Sequence, residues 1–365
     1  MLNKLRELEK IDKVYGNVIN QPPPFSFNLE LTYRDRKLDK DQILNVLRGQ
    51  KIEVKEYYYN ANFQPIATSP IAMYSVVDRS NSIISTPLIK VYSPIGRSCT
   101  PNSIDEICYN AASAILRKSK GKIYVLWSGG IDSTLTLIEL MKITPLDKIV
   151  VVLTDYSMAE YPWFYERYLT NMETVFLDMY SSTQFSEFIK DGGVIVSGNL
   201  LDEQFGSLLS EWLYQNPDIA YNPFDRMLET VDENSFNLYK LLAEASPMPI
   251  TNVKEFLWWL EYCLDYQNVE FRLLLENPEL RLDENIFNFG GGQEWNDYAV
   301  STPMEIKCPP GNYSNFKIGL KKLIYEFTND LDYFEHKTKV ASWRRYRTKN
   351  MHALSISTDW KYQYV

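Results

Sequence analysis

Between residues 122 and 197 short apolar runs alternate with segments of helical spacing, and that alternation leaves few folds open. Lys122-Ile123-Tyr124-Val125-Leu126-Trp127, Lys148-Ile149-Val150-Val151-Val152-Leu153, Thr174-Val175-Phe176-Leu177 and Gly193-Val194-Ile195-Val196-Ser197 each read as a strand. They are short and rich in β-branched residues, which suit a pleated, buried surface. Residues 104–119, 131–142, 161–171 and 182–190 carry apolar side chains at helical spacing. A wholly apolar strand needs cover on both faces. Strands alternating with helices therefore predict a parallel, doubly wound α/β sheet. Beyond Leu201 the chain reads as mostly helical, with Trp258, Trp259, Leu260 and Leu264 as core candidates.

Residues 1–103 have a different texture. Phe25-Ser26-Phe27-Asn28-Leu29-Glu30-Leu31 alternates with a period of two, and 71–77 and 83–91 are further β-branched runs. Residues 39–47 read as a short helix. The expected organisation is a small β-rich module over 1–103 and the α/β domain with its helical extension over 104–365. No chemistry attaches to the first module.

The formal net charge of −9 disfavours a polyanion as the main partner. Trp343-Arg344-Arg345-Tyr346-Arg347-Thr348-Lys349 is a local exception that keeps a nucleic-acid or pyrophosphate contact open, beside the plain reading as a solvated helix end. Cys99, Cys108, Cys263 and Cys308 form no C-x-x-C pair, and His336 and His352 are the only histidines, so the spacing of a zinc site is missing. The cysteines read as small apolar side chains in a reducing compartment. No apolar run approaches the roughly 20 residues that span a bilayer. A cytoplasmic protein with no membrane partner is expected, and a homo-oligomer is left open.

The chemistry concentrates after the first strand, at Ser128-Gly129-Gly130-Ile131-Asp132-Ser133. Paired glycines let the backbone turn tightly and approach a ligand. Their N–H groups form an anion nest, and the following helix points its positive end at the same place. Ser128 and Ser133 add hydroxyls. Asp132 is out of place in an anion site unless a cation such as Mg²⁺ bridges it to phosphate. The alternative is a plain strand-to-helix turn capped by Asp132 and Ser133. A Walker A loop is excluded, because its Gly-Lys-Ser/Thr ending is absent.

This loop resembles the SGGxDS loop of the PP-loop ATP pyrophosphatases. The resemblance implies a parallel sheet and cleavage of ATP between its α- and β-phosphates. A second segment, Ser197-Gly198-Asn199-Leu200-Leu201-Asp202-Glu203-Gln204-Phe205-Gly206-Ser207, follows the fourth strand, at the end of an open sheet where ligands bind. It is similar to the SGEGxDExFGG motif of the asparagine synthetase synthase domain, with Gly198, Asp202, Glu203, Phe205 and Gly206 in register. That likeness implies that Asp132 and Asp202 share Mg²⁺ and that Asn199 and Glu203 face the substrate. It also implies that backbone groups of Leu153 and Thr154 cradle adenosine, and that Lys337 or Lys339 serves near the α-phosphate. Phe289-Gly290-Gly291-Gly292-Gln293-Glu294-Trp295 reads either as a flexible wall of the acceptor pocket or as a join between helices.

Two departures narrow the expectation. Leu2 stands where the glutaminase half of asparagine synthetases has its nucleophilic cysteine, and Asn199 replaces the motif's glutamate. An asparagine cannot act as a general base. The expected activity is an AMP- and pyrophosphate-forming ligase that adenylates a small carboxylate and passes it to an amine, without a glutaminase. The rivals are an adenylating enzyme for a nucleobase or tRNA, and a non-catalytic nucleotide-binding regulator.

Overall fold

The structure, a computed structural model, describes residues 31–33, 36–38, 53–54, 79–80, 89–90, 95–154, 157–177, 184–206, 210–228, 233–264, 266, 269, 277 and 279–337. The expected helix at 39–47, the run at 71–77, Lys339 and the basic cluster at 343–349 lie outside them. The chain divides into two compact units. One comprises Gly96–Phe205 and Arg272–Met351; the other comprises Met1–Ile95, Gly206–Phe271 and His352–Val365.

The first unit is built on five parallel strands: β1 (Ile123–Leu126), β2 (Ile149–Leu153), β3 (Glu173–Phe176), β4 (Val194–Ser197) and β5 (Ile286–Asn288). Their order across the sheet is β3-β2-β1-β4-β5. Every pairing is parallel, so the unit is α/β with an all-parallel sheet, compatible with a doubly wound fold. All five residues of β2 and all four of β4 are buried. This is why both read as unbroken apolar runs. β3 lies at the edge and is only half covered, with Phe176 exposed.

β5 has no counterpart in the sequence reading. Three residues, Ile286-Phe287-Asn288, are too few to show a period. They become a strand because β4 offers an open edge, on which Ile195 stands opposite Ile286 and Ser197 opposite Asn288. The helix expected at 161–171 is also modified. Pro162–Phe164 forms an α-turn that widens into a π-helical turn over Tyr165–Leu169.

Helix α1 (Ile104–Lys118) starts at a capping box. Ser103 Oγ accepts from the Glu106 amide, and the Glu106 carboxylate accepts from the Ser103 amide. Acidic residues open the helix and Arg117 and Lys118 close it, both in keeping with its dipole. α2 (Ile131–Ile143) is buried continuously from Ser133 to Leu140, as expected of a helix laid into the core. α3 (Leu201–Phe205) follows β4, and α4 (Gln293–Ser301) follows β5. α5 (Ile318–Thr328) packs on both α1 and α2 and is followed by α6 (Leu331–His336). Beneath the β1–α2 turn, Trp127 Nε1 donates to Thr134 Oγ1 at 3.0 Å and its ring stacks on Phe164.

In the second unit two short antiparallel pairs are described, Leu31–Tyr33 with Arg36–Leu38 and Glu53–Val54 with Ile89–Lys90. Helices Glu233–Glu244 and Val253–Leu264 pack together, where Trp259 Nε1 donates to the Leu242 carbonyl at 2.6 Å. Trp258, Trp259 and Leu260 are buried. The Arg79 guanidinium lies 3.6 Å from the Tyr266 ring centre and donates to the Tyr262 carbonyl. No disulfide joins the four cysteines; Cys108, Cys263 and Cys308 are buried and Cys99 is exposed. No described helix is long and apolar enough to cross a membrane.

Candidate functional site

The strand order decides where a ligand fits. From β1 the chain moves outward through β2 and β3, then returns to the other side of β1 as β4. The connections after β1 and β4 therefore diverge, and the crevice lies beyond the carboxyl ends of these two strands. Leu126 stands opposite Ser197, so both strands end level. Both sequence motifs begin there.

The two loops touch. A methyl group at Gly198 would meet the Ser133 nitrogen at 2.6 Å and the Asp132 carbonyl carbon at 2.7 Å, so only glycine lets the second motif press against the first turn of α2. Gly129 turns the chain at φ +77, and a side chain there would strike the Ser157 carbonyl at 2.6 Å. Within the loop, Ser128 N–H donates to Ser133 Oγ at 3.1 Å, the two hydroxyls lie 3.0 Å apart, and Ser133 Oγ donates to the Gly130 carbonyl. The loop is thus braced internally, with the first turn of α2 at its end.

Asp132 stands in the first turn of α2 and Asp202 in the first turn of α3. Just before α3, Leu200 has a left-handed backbone at φ +73 while its side chain is fully buried. Such a conformation costs a non-glycine residue roughly 1–2 kcal/mol. It is held by the packing that brings α3 to the loop.

Between the two carboxylates stands a residue that the sequence reading passed over. Lys317 Nζ donates to Asp132 Oδ1 at 2.5 Å and Oδ2 at 2.7 Å, and also to Asp202 Oδ1. Its side chain is 1% exposed. Burial alone would lower its ammonium, but the Asp132 and Asp202 charges outweigh that and hold it above the ordinary lysine value. Lys317 caps the N-terminus of α5 with a left-handed backbone, φ +54 and ψ +35. A cation at that end of a helix opposes the dipole. Neighbouring residues hold it there. Asn312 caps a 3₁₀ turn at Tyr313–Asn315, Tyr313 stacks on Phe316, and Lys321 Nζ donates to the Ser314 carbonyl.

A second buried ion pair joins Lys337 to Glu160, with side chains 7% and 4% exposed. Lys337 ends α6, which is capped by Asp330 accepting from the Tyr333 amide. Asp330 also accepts from Tyr161 Oη at 2.9 Å, and the Tyr161 and Tyr333 rings stack 3.9 Å apart. Burial, followed by Asp330, pushes the Tyr161 phenol up. Burial, followed by Tyr161, does the same to Tyr333.

The two ion-paired clusters, Lys317 with Asp132 and Asp202 and Lys337 with Glu160, line one cleft enclosing about 610 Å³ with its open mouth included. Of the residues expected from sequence, Ser128, Gly130, Asp132, Ser133, Asp202 and Lys337 line it, while Gly129 and Gly198 shape it by close approach. Glu160, Tyr313, Phe316 and Lys317 join them unannounced.

Others stand apart from the lining. The Leu153 carbonyl accepts from Leu177 at the sheet, and Thr154 is tied to Ser157 Oγ through its amide and hydroxyl. Asn199 donates its amide to Ser197 Oγ and accepts from the Gly290 amide, and Glu203 is buried in α3. The glycine segment at 289–292 joins β5 to α4, with its Gly290 carbonyl accepting from Gln204 Nε2 at 2.9 Å.

The donor set suits Mg²⁺. Two carboxylates reach one nitrogen, so their bonded oxygens lie within about 6 Å of each other, twice a hydrogen-bond length. A positive charge already sits between them. Among the described residues there is no group of three or more metal-ligating side chains. Mg²⁺ characteristically takes one or two carboxylates and completes its shell with phosphate oxygens and water.

Lys317 left a faint trace in the sequence. Phe316-Lys317-Ile318-Gly319-Leu320 sets a lysine at the start of an amphipathic helix, where the dipole disfavours it. Glu160 left none, since nothing local distinguishes it from a surface glutamate. No protein-family model matches the chain, and no curated protein matches its sequence.

Proposed function

We propose that the cleft binds ATP with Mg²⁺ and transfers its adenylyl group to a carboxylate, releasing pyrophosphate, after which an amine displaces AMP to form an amide. One observation carries this reading: two carboxylates converge on a single cation beside a glycine-bearing loop at a helix N-terminus, at the switch point of a parallel sheet.

The roles divide among the lining residues. Amides at the start of α2 and the hydroxyls of Ser128 and Ser133 take the phosphate oxygens that become pyrophosphate. Asp132 and Asp202 would hold Mg²⁺, which offsets charge on the departing pyrophosphate. Lys317 and Lys337 supply the ammonium groups of the cleft, and an ammonium fixed in a partly dry site stabilises charge that builds on the phosphates. The acid's oxygen attacks the α-phosphorus and the bond to the β-phosphate oxygen breaks. The amine nitrogen then attacks the acyl carbon and the bond to AMP breaks. The amine must lose a proton. Asn199 cannot take it, and among the described residues Glu160 is the remaining carboxylate lining the cleft.

A pyrophosphate-release screen over amino acids, dicarboxylates and nucleosides, with ammonia and simple amines as acceptors, tests the reading. AMP and pyrophosphate in equal amounts are expected from an acid–amine pair. Stoichiometric ADP and phosphate would overturn it, and turnover of a nucleoside without an acid would move the substrate class.

A further inference from the structure

We propose that Lys317 is a built-in counter-ion that closes the Asp132–Asp202 seat to divalent cations until a phosphate-bearing ligand draws its ammonium away, so that metal and polyphosphate enter together. The idea rests on the nucleotide reading above for the identity of the polyphosphate, and on the geometry of three side chains for the rest.

An ammonium has three N–H donors. Lys317 spends them on three carboxylate oxygens, Oδ1 and Oδ2 of Asp132 and Oδ1 of Asp202. Those are the atoms that a divalent cation would need. A cation at ordinary Mg²⁺–oxygen distances of roughly 2.0–2.1 Å from them would stand against the ammonium. Like charges so close and so little hydrated repel strongly. One seat therefore holds one cation, and the resident has the advantage of being covalently tethered.

The tether is set under tension. Lys317 is held in the left-handed region at the positive end of α5, a placement that backbone sterics and the helix dipole both oppose. The two aspartates are what make it tolerable. Once a metal neutralises them, the ammonium is left at a helix N-terminus in need of an anion. The adjoining loop places the N-terminus of α2 and the hydroxyls of Ser128 and Ser133 on the same cleft, so a polyphosphate held there can take over the ammonium. A metal alone must evict Lys317 without bringing an anion to receive it. A metal arriving with polyphosphate exchanges one set of ion pairs for another. The two ligands must then bind with positive coupling, each strengthening the other.

The full-length protein can be tested by equilibrium dialysis against Mn²⁺, with and without inorganic pyrophosphate, as wild type, Lys317→Met and Lys317→Gln. Wild type is expected to retain Mn²⁺ roughly tenfold or more tightly with pyrophosphate present, and the variants to bind Mn²⁺ alone roughly tenfold more tightly than wild type does, with the coupling lost. Removing the ammonium leaves two partly buried carboxylates facing each other, so the variants should melt earlier and Mn²⁺ should raise their Tm while leaving that of wild type unmoved. Equal Mn²⁺ affinity in wild type and variants, or variant melting that ignores Mn²⁺, would overturn the proposal. The nucleotide reading fails separately. Variants that gain Mn²⁺ affinity in a protein that never binds ATP would uphold the lysine latch and refute the ligase, whereas ATP turnover with uncoupled metal binding would do the reverse.

Discussion

At the scale of single residues, the departure at Asn199 and the arrival of Glu160 belong together. Both backbone groups of Asn199 are engaged, its amide with Ser197 Oγ and its carbonyl with the Gly290 amide, and its side chain has no basic atom. Glu160, paired with Lys337, is the carboxylate left among the described lining residues to accept a proton if Asp132 and Asp202 serve a metal. Glu160→Gln is expected to leave pyrophosphate exchange within a few-fold of wild type while slowing amide formation by roughly 10²–10⁴-fold. Isotope exchange into ATP, measured beside product formation, separates the two steps; parallel loss of both would remove Glu160 from the proton transfer. Aspartate and ammonia should give wild type little asparagine. Efficient synthesis would show that the exchange of glutamate for asparagine at 199 is harmless. The aspartates were legible because each sits at a fixed spacing inside a motif. Glu160 was not, because only the fold brings it to the loop.

At the scale of elements, α5 carries two buried lysines with opposite surroundings. Lys317 has carboxylates; Lys321, one turn later, has the Ser314 carbonyl and lies 6.0 Å from the Phe334 ring centre. Burial lowers the Lys321 ammonium to about 8, against a partial upward pull from Cys308. A lysine whose folded value is depressed holds fewer protons in the native state than in the unfolded state, between about 8 and the usual 10.5. Its contribution to stability therefore rises with pH through that window. Lys321→Met is expected to be more stable than wild type near pH 7, with the advantage shrinking towards pH 10. Urea midpoints at pH 7 and 9.5 would decide; a constant difference would mean that Lys321 does not titrate in this way. The loop after β4 invites a second test. Gly198→Ala places a methyl group 2.6 Å from a backbone nitrogen, and overpacking of that kind costs roughly 1–3 kcal/mol. A melt unchanged from wild type would show that the two loops part more easily than their contact suggests.

At the scale of the whole molecule, the cleft collects short stretches that are far apart along the chain: 128–133, Glu160, Asp202, 313–317 and Lys337. All belong to the unit built on the parallel sheet. MgATP is expected to protect 128–133, 198–205 and 313–321 from hydrogen exchange together, since a ligand bound in one cleft stabilises every segment it touches. Protection confined to 128–133 would leave the lysine segment outside the site. Protection concentrated at 233–264 would move the ligand to the other unit.

The sequence by itself determined the parallel sheet and the position of its loops. Four strands announced themselves as short apolar runs rich in β-branched residues, most plainly Ile149-Val150-Val151-Val152-Leu153, which is buried throughout and leaves no polar face to misread, and Gly129 and Gly198 marked the turns because a side chain there has no room. What lies within a few residues of a motif is encoded locally, in backbone conformation and periodicity. Tertiary structure alone decided the rest. It made a strand of Ile286-Phe287-Asn288, whose three residues have no period of their own, by offering them the open edge of β4. It carried Lys317 across 185 residues to Asp132 and 115 to Asp202, and Lys337 across 177 to Glu160. A charged side chain far along the chain acquires its meaning from the partner that folding brings to it, and no local pattern records which partner that will be.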